Sequence, residues 1–339
     1  MAPIFMGKMG EVFVLEEVVV IGAGPCGLSA AIELQRIGLD PLIIEKECVV
    51  HSIYLYPTYM QFFSTPELLE IGGYPFSTPN DKPYRLEALN YYRNVAQRSN
   101  LRIRSYETVT EITPKADGTF ELTVQNRFGS TVSILSRRVV VATGYFDHPN
   151  MLGIPGEELP NVTHYFREAH PYTGTKVAII GGSNSAIDAA MELLRAGASV
   201  TVVYRGDKYS SVIKPWVLPI FESMVSKGRI RMLFRSRVTQ ISERTITVTT
   251  DGQEQTLEND FVLALTGFRP DRSLITKAGA ELNLEADGVP KHDPDTMETT
   301  VPGLYIAGVA ASGSNANEVF IETGRLHGGR IAAHIVSTR

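Results

Sequence analysis

The chain has only two cysteines in 339 residues, Cys26 and Cys48, and a single tryptophan. So few thiols exclude a disulfide-rich secreted scaffold. They also exclude a Cys-x-x-Cys redox pair and a four-cysteine zinc site, so no metal is expected. No run approaches the roughly 18 apolar residues of a membrane-spanning helix, so no membrane partner is expected. Met1–Glu16 lacks the basic region, apolar core and small-residue cleavage site of a secretory leader. The cytoplasm is therefore the expected location, and residues 1–11 read as a short extension, with Met6 and Met9 as alternative starts. Positive charge is not in excess either: the net charge of −5 argues against nucleic acid as a partner. What is present is a 43% apolar chain long enough for two domains with sizeable cores.

Glu17-Val-Val-Val-Ile21 is an apolar, β-branched run typical of a buried parallel strand. It enters Gly22-Ala-Gly-Pro-Cys-Gly27, then a helical pattern from Leu28 to Ile37 capped by Gly38, then the strand Pro41–Ile44 ending at Glu45. The same unit returns as Lys176–Ile180, Gly181-Gly-Ser-Asn-Ser-Ala186, a helix through Arg195 and the strand Ser199–Val203 ending at Tyr204-Arg205. Gly22 to Glu45 and Gly181 to Tyr204 have the same separation, so a whole strand–turn–helix–strand unit is repeated. Apolar strands close each unit, Val139–Gly144 for the first and Phe261–Gly267 for the second.

One more buried strand, Gly303-Leu-Tyr-Ile-Ala-Gly308, follows after the second unit has closed, and a helix is expected from about Glu318. That strand must complete the first domain. The expected fold class is α/β, with two Rossmann-like three-layer dinucleotide-binding domains, one inserted into the other. Residues 12–165 and 293–339 form the discontinuous outer domain, and 166–292 the inserted one. Crossings with proline and glycine at Pro149–Pro171 and Phe268–Pro302 suit the two connections.

In the first turn, Gly22 permits the bend and Gly24 lets a pyrophosphate approach the backbone. Gly27 lets the helix pack on the strand, with its N-terminal amides facing the phosphates. Glu45 then accepts a hydrogen bond from a ribose 2′-hydroxyl, worth about 1.5–3 kcal/mol. FAD is the expected cofactor here, because the domain that opens the chain is closed by a C-terminal strand and glycine turn able to clamp an extended molecule. Thr143-Gly144 ends the closing strand as in two-dinucleotide flavoproteins, which is a resemblance. The expected contacts are Gly22, Gly24, Pro25, Cys26, Gly27, Glu45, Lys46, Tyr54, Val109, Ala142, Thr143, Gly144 and Gly308.

In the second turn, Ser183 stands where a glycine is usual and Ala186 is still small enough for close packing. The expected contacts are Gly181, Ser183, Asn184, Ser185, Ala186, Tyr204, Arg205 and Lys208. With Tyr204 in the ribose position and Arg205 and Lys208 beside it, a 2′-phosphate is attracted where a carboxylate would repel it. NADPH is expected over NADH. Residues 205–237 carry eight basic positions, Arg205, Lys208, Lys214, Lys227, Arg229, Arg231, Arg235 and Arg237, against two acidic ones. That stretch either steers an anionic substrate or partner or is an ordinary solvated face.

Over nearly its full length the chain resembles two-dinucleotide flavoproteins of the thioredoxin reductase type. Within that group it is most similar to the bacillithiol disulfide reductase family. The closer match is carried by Gly24–Ile32, Ser52-Ile-Tyr54 with Tyr56-Pro57, Phe62-Phe-Ser64, Leu69–Gly72, Pro75-Phe76, Ile213–Trp216 and Phe320–Arg325 before His327-Gly328. The resemblance implies NADPH-driven reduction of the disulfide of bacillithiol, a low-molecular-weight thiol, without a cysteine pair. It also nominates Cys26 as a thiol relay and implies a homo-oligomer. Val309 departs from the broader pattern, which has an aspartate beside the flavin there.

The local physics of Cys26 is divided. A helix N-terminus favours its thiolate by about 0.3–2 kcal/mol, whereas each phosphate charge about 5 Å away opposes it by roughly 3 kcal/mol. A tight-turn filler is the alternative role. Cys48 reads as filler, and a Cys26–Cys48 bridge is not expected. Tyr54, Tyr56, Tyr59, Phe62 and Phe63 pass near the expected flavin position, and His327 is a candidate for its other face or for a cap. Three other functions stay open. One is a ferredoxin- or flavodoxin-NADP reductase serving a small acidic redox protein. The others are a flavin monooxygenase using His164, and a redox-sensing flavoprotein without turnover.

Overall fold

A computed structural model describes residues 4–6, 12–313 and 319–338. The chain forms two compact units. The first comprises Met1–Tyr54, Met60–His148 and Phe268–Arg339; the second comprises Leu55–Tyr59 and Pro149–Gly267.

The first unit is built on a five-stranded parallel sheet. Its order is Leu304–Ile306, Val139–Val141, Val19–Ile21, Leu42–Glu45, Arg102–Ser105. The Leu304–Ile306 strand pairs in parallel with Val139–Val141, so the C-terminal strand does complete the sheet that the chain opens. Val19, Val20, Ile43, Val139 and Val140 are fully buried, as β-branched and apolar runs covered on both faces must be. The helices Pro25–Arg36 and His327–Ser337 pack together. A Cβ on Gly328 would lie 2.5 Å from the Ala30 Cα, so only glycine permits that crossing. A second sheet runs Ile4–Met6, Val12–Glu16, Thr131–Ser136, Phe120–Asn126, Glu107–Pro114. Residues 4–6, within the expected short extension, pair antiparallel with Val12–Val14.

The second unit has its own five-stranded parallel sheet, ordered Val162–Thr163, Phe261–Ala264, Lys176–Ile180, Ser199–Val203, Ile230–Leu233. A three-stranded antiparallel sheet, Ser236–Ile241, Thr245–Thr250 and Gln253–Glu258, packs on it through Val238, Ile246 and Val248. The helix Asn184–Arg195 buries Ala186, Ile187, Ala189, Ala190 and Leu193 against the opposite face.

The unit boundaries fall at the start of the two expected crossings, at 148/149 and 267/268, rather than at the expected domain bounds 165/166 and 292/293. Residues 149–165 go with the second unit because Val162–Thr163 extends its parallel sheet beside Phe261–Ala264. Residues 268–292 go with the first, tied by backbone and side-chain bonds such as Glu281 N–H to Thr300 Oγ1 at 3.0 Å. Leu55–Tyr59 joins the second unit through Thr58 N–H to the Arg167 carbonyl at 2.9 Å. The helix expected from about Glu318, which itself lies outside the described residues, runs Ile321–Gly324, and a second runs His327–Ser337.

Candidate functional site

In the first unit the glycine turn is packed too tightly for any other residue type at two positions. Gly22 has φ +107°, and a Cβ on it would lie 2.5 Å from the Ala142 carbonyl oxygen. A Cβ on Gly27 would lie 2.0 Å from the Gly22 carbonyl oxygen. A Cβ on Gly24, by contrast, would meet nothing within 4 Å. Two glycines therefore close the turn, and the third leaves open space above the start of the Pro25–Arg36 helix. That geometry fits a pyrophosphate lying on backbone amides.

Glu45, 7% exposed at the end of its strand, is oriented by backbone donors. Its Oε2 accepts the Ala23 N–H at 2.7 Å and its Oε1 the Glu47 N–H at 2.9 Å. A carboxylate held this way is preorganised to accept from a ribose hydroxyl through its remaining lone pairs. Thr143 and Ala142 lie against Gly22, and a Cβ on Gly144 would stand 4.0 Å from Ser52 Oγ. Pro25 opens the helix. Lys46 is engaged with Asp147 in an ion pair, and burial lowers its pKa. Tyr54 sits with its ring 5.6 Å from that of His51 and 5.5 Å beneath the Arg85 guanidinium. Val109 belongs to the antiparallel sheet, with its side chain buried and its backbone paired to Val124.

Cys26 is half-buried and its sulfur is pressed between two glycines. A Cβ on Gly308 would come 2.9 Å from Sγ, and one on Gly324 2.8 Å. Burial pushes the thiol pKa up to about 12. Cys48 is a second free thiol, with Sγ 3.4 Å from His51 Nδ1, and burial raises its pKa too.

His327 caps the glycine turn that carries Gly308: its Nδ1 accepts the Gly308 N–H at 3.2 Å. It is 7% exposed, and burial, aided by Arg330 and His292, lowers its pKa from 6.5 to about 4. The native imidazole is neutral, whereas the unfolded one binds a proton below pH 6.5. Stability is therefore present above that pH and is lost as the pH falls toward 4, by at most about 3 kcal/mol. Urea unfolding between these pH values should show that loss, and His327→Gln should flatten the slope while keeping an acceptor for Gly308.

In the second unit, a Cβ on Gly181 would lie 2.4 Å from the Leu265 carbonyl oxygen, so this turn too is closed by glycine. Ser183 and Ser185 are exposed at the start of the Asn184–Arg195 helix, and Ala186 is buried beneath it. Asn184 is not open to a ligand in the way the sequence implied. Its Oδ1 accepts the Lys214 N–H at 3.0 Å and its Nδ2 donates to the Val212 carbonyl at 2.9 Å, so the amide tethers a neighbouring loop. The Tyr204 ring lies between Gly182 and Gly206: a Cβ on the first would come 2.3 Å from the ring, on the second 2.5 Å. Where Glu45 folds back onto Ala23 in the first unit, an aromatic ring covers the matching turn here. Arg205 and Lys208 beside it are exposed and have no side-chain partner among the described residues.

His164, the candidate for oxygenase chemistry, lies 3.4 Å from Glu157 Oε1 in a largely buried position. That carboxylate is itself fixed by the Leu152 and Gly153 N–H groups at 2.6 and 2.7 Å. Among the described residues no group of His, Cys, Asp and Glu is arranged to hold a metal, and no helix is long and apolar enough to cross a membrane.

The family model for pyridine nucleotide-disulphide oxidoreductases matches residues 19–308. The chain belongs to that family. It is thus a disulfide oxidoreductase whose cofactors are a flavin and a pyridine nucleotide. The family's chain here is 50% identical over 94% of its length, and 97% of the relative's, to Bacilliredoxin reductase Bdr of Bacillus subtilis. The solved Bacillithiol Disulfide Reductase Bdr from Bacillus cereus superposes with a TM-score of 0.93 at 50% identity, covering 96% of this chain and 100% of that one. The Staphylococcus aureus counterpart gives 0.91 at 45% identity, covering 96% and 99%. The resemblance read from the scattered motifs is borne out, and so is the α/β fold with parallel sheets.

Proposed function

We propose that the protein is an FAD-dependent, NADPH-consuming reductase acting on bacillithiol disulfide. The observation that carries this reading is the asymmetry between the two glycine turns. One ends at a fixed carboxylate, Glu45, and the other at two exposed cations, Arg205 and Lys208, that have no side-chain partner among the described residues. The first suits a ribose with free hydroxyls, the second a ribose bearing phosphate. The substrate is proposed from the names of the two solved bacillithiol disulfide reductases that the chain matches at 45–50% identity along nearly their whole length.

A bound flavin supplies a two-electron path from a nicotinamide to an acceptor. The rest falls to the chain's own groups. Gly24 and the helix amides take the pyrophosphate, and Glu45 fixes the ribose beside it. Arg205 and Lys208 neutralise the 2′-phosphate of NADPH. In balance, NADPH and one proton reduce one disulfide to two thiols. Cys26 is the thiol that the family resemblance nominates as a relay through a mixed disulfide; to act so, its sulfur must first leave the slot between Gly308 and Gly324 and lose its proton. Cys26→Ala should keep FAD and NADPH-driven flavin reduction but lose disulfide turnover by at least about a hundredfold, as for loss of a nucleophile. Turnover retained in that variant rejects the relay and leaves Cys26 as filler.

The overall reading is tested by following NADPH consumption with bacillithiol disulfide, glutathione disulfide and an oxidised ferredoxin in parallel. Rapid consumption with the first alone is expected. Rapid consumption with ferredoxin alone would transfer the protein to the acidic-partner class.

A further inference from the structure

The turn Gly308–Ala311 follows the last strand of the first unit and lies against Cys26. With Val309 in place of an aspartate, the turn has no carboxylate of its own to order it. Its first amide is capped by His327, as described. Its far end is gripped by a residue that spacing gave no reason to single out. The Arg272 guanidinium donates from one terminal nitrogen to the Ala310 carbonyl at 3.0 Å and from the other to the Ser312 carbonyl.

Arg272 is half-buried, and burial lowers its pKa; among the described residues the charge of Asp287 opposes that. A part-buried cation spent on two backbone carbonyls is costly for a mere surface tie, because neutral acceptors compensate lost hydration poorly. The planar fork explains the choice of arginine, since an ammonium cannot donate to both oxygens in fixed geometry. Arg272 also stands at the head of the segment by which the chain re-enters the first unit after Gly267.

We infer that Arg272 is a positioning residue for flavin binding: its two-point grip fixes the Gly308–Ser312 turn as one wall of the flavin site. This rests on the flavin reading above, and the two fail separately. Colourless wild-type protein that takes up no FAD defeats the reading. The inference is tested on Arg272→Lys and Arg272→Met against a yellow wild type. FAD affinity is measured by titrating apoprotein, and the midpoint potential of the bound flavin at saturating FAD. Both variants should bind FAD at least tenfold more weakly and show a shifted potential, with lysine no better than methionine because charge without the fork does not hold the turn. FAD affinity and potential equal to wild type in either folded variant overturn the inference. So does a fall in thermal stability with the potential unchanged at saturation, and so does failure of both variants to fold with FAD in excess. Each of these makes Arg272 a scaffold residue.

Discussion

Gly27→Ala should yield colourless protein destabilised by roughly 3 kcal/mol, while Gly24→Ala should fold normally and lose only cofactor. The contrast comes from what each new methyl meets. At Gly27 it would stand 2.0 Å from a backbone oxygen of the same turn, a clash no side-chain rotation relieves. Either the helix lifts from the strand or the turn opens, and overpacking of that kind costs about 1–3 kcal/mol or more. At Gly24 the methyl enters open space, so stability is untouched. That space is where a pyrophosphate would lie, and FAD affinity should fall. Denaturant unfolding and the flavin-to-protein ratio distinguish the pair. If Gly24→Ala binds FAD like wild type, the open space is not the phosphate site.

Arg205→Glu should lower kcat/KM for NADPH by about ten- to a hundredfold, the loss expected when a charge-assisted contact of about 1.5–3 kcal/mol is removed. Kcat/KM for NADH should stay constant or rise, because a glutamate next to the ribose can accept from a free 2′-hydroxyl. Arg205 is exposed, so the substitution should not disturb folding, and it has no side-chain partner among the described residues whose contact would be lost. Tyr204 limits how far the switch can go. Its ring is pinned between Gly182 and Gly206 and occupies the place where Glu45 folds back in the first unit. Equal losses with the two nucleotides would show that Arg205 does not read the phosphate.

Much of this was legible in the residues because local spacing dictates it. The repeated turn, the acid at Glu45 and the basic pair at Arg205 and Lys208 lie within single strand–helix–strand units, whose geometry follows from sequence separation. The C-terminal strand could be assigned to the first sheet because the second unit had already closed. What escaped notice depends on contacts between distant segments. Nothing near Arg272 announces that it will meet Ala310 and Ser312. Asn184 sits in the turn at a ligand position, and only the fold brings Val212 and Lys214 to its amide. For Cys26 the sequence supplied the helix N-terminus and the phosphates. Burial between Gly308 and Gly324, which sets the thiol near 12, comes from residues far along the chain. In the native protein that thiol should resist alkylation near neutral pH and react once unfolded, which mass spectrometry can follow.

The account turns on electrons passing from NADPH through a flavin held in the first unit to a small disulfide. Purified yellow protein, mixed anaerobically with one equivalent of NADPH, should lose its visible flavin absorbance and regain it when bacillithiol disulfide is added. Absorbance that does not fall with NADPH, or that falls and is restored only by oxygen or ferredoxin, contradicts the account.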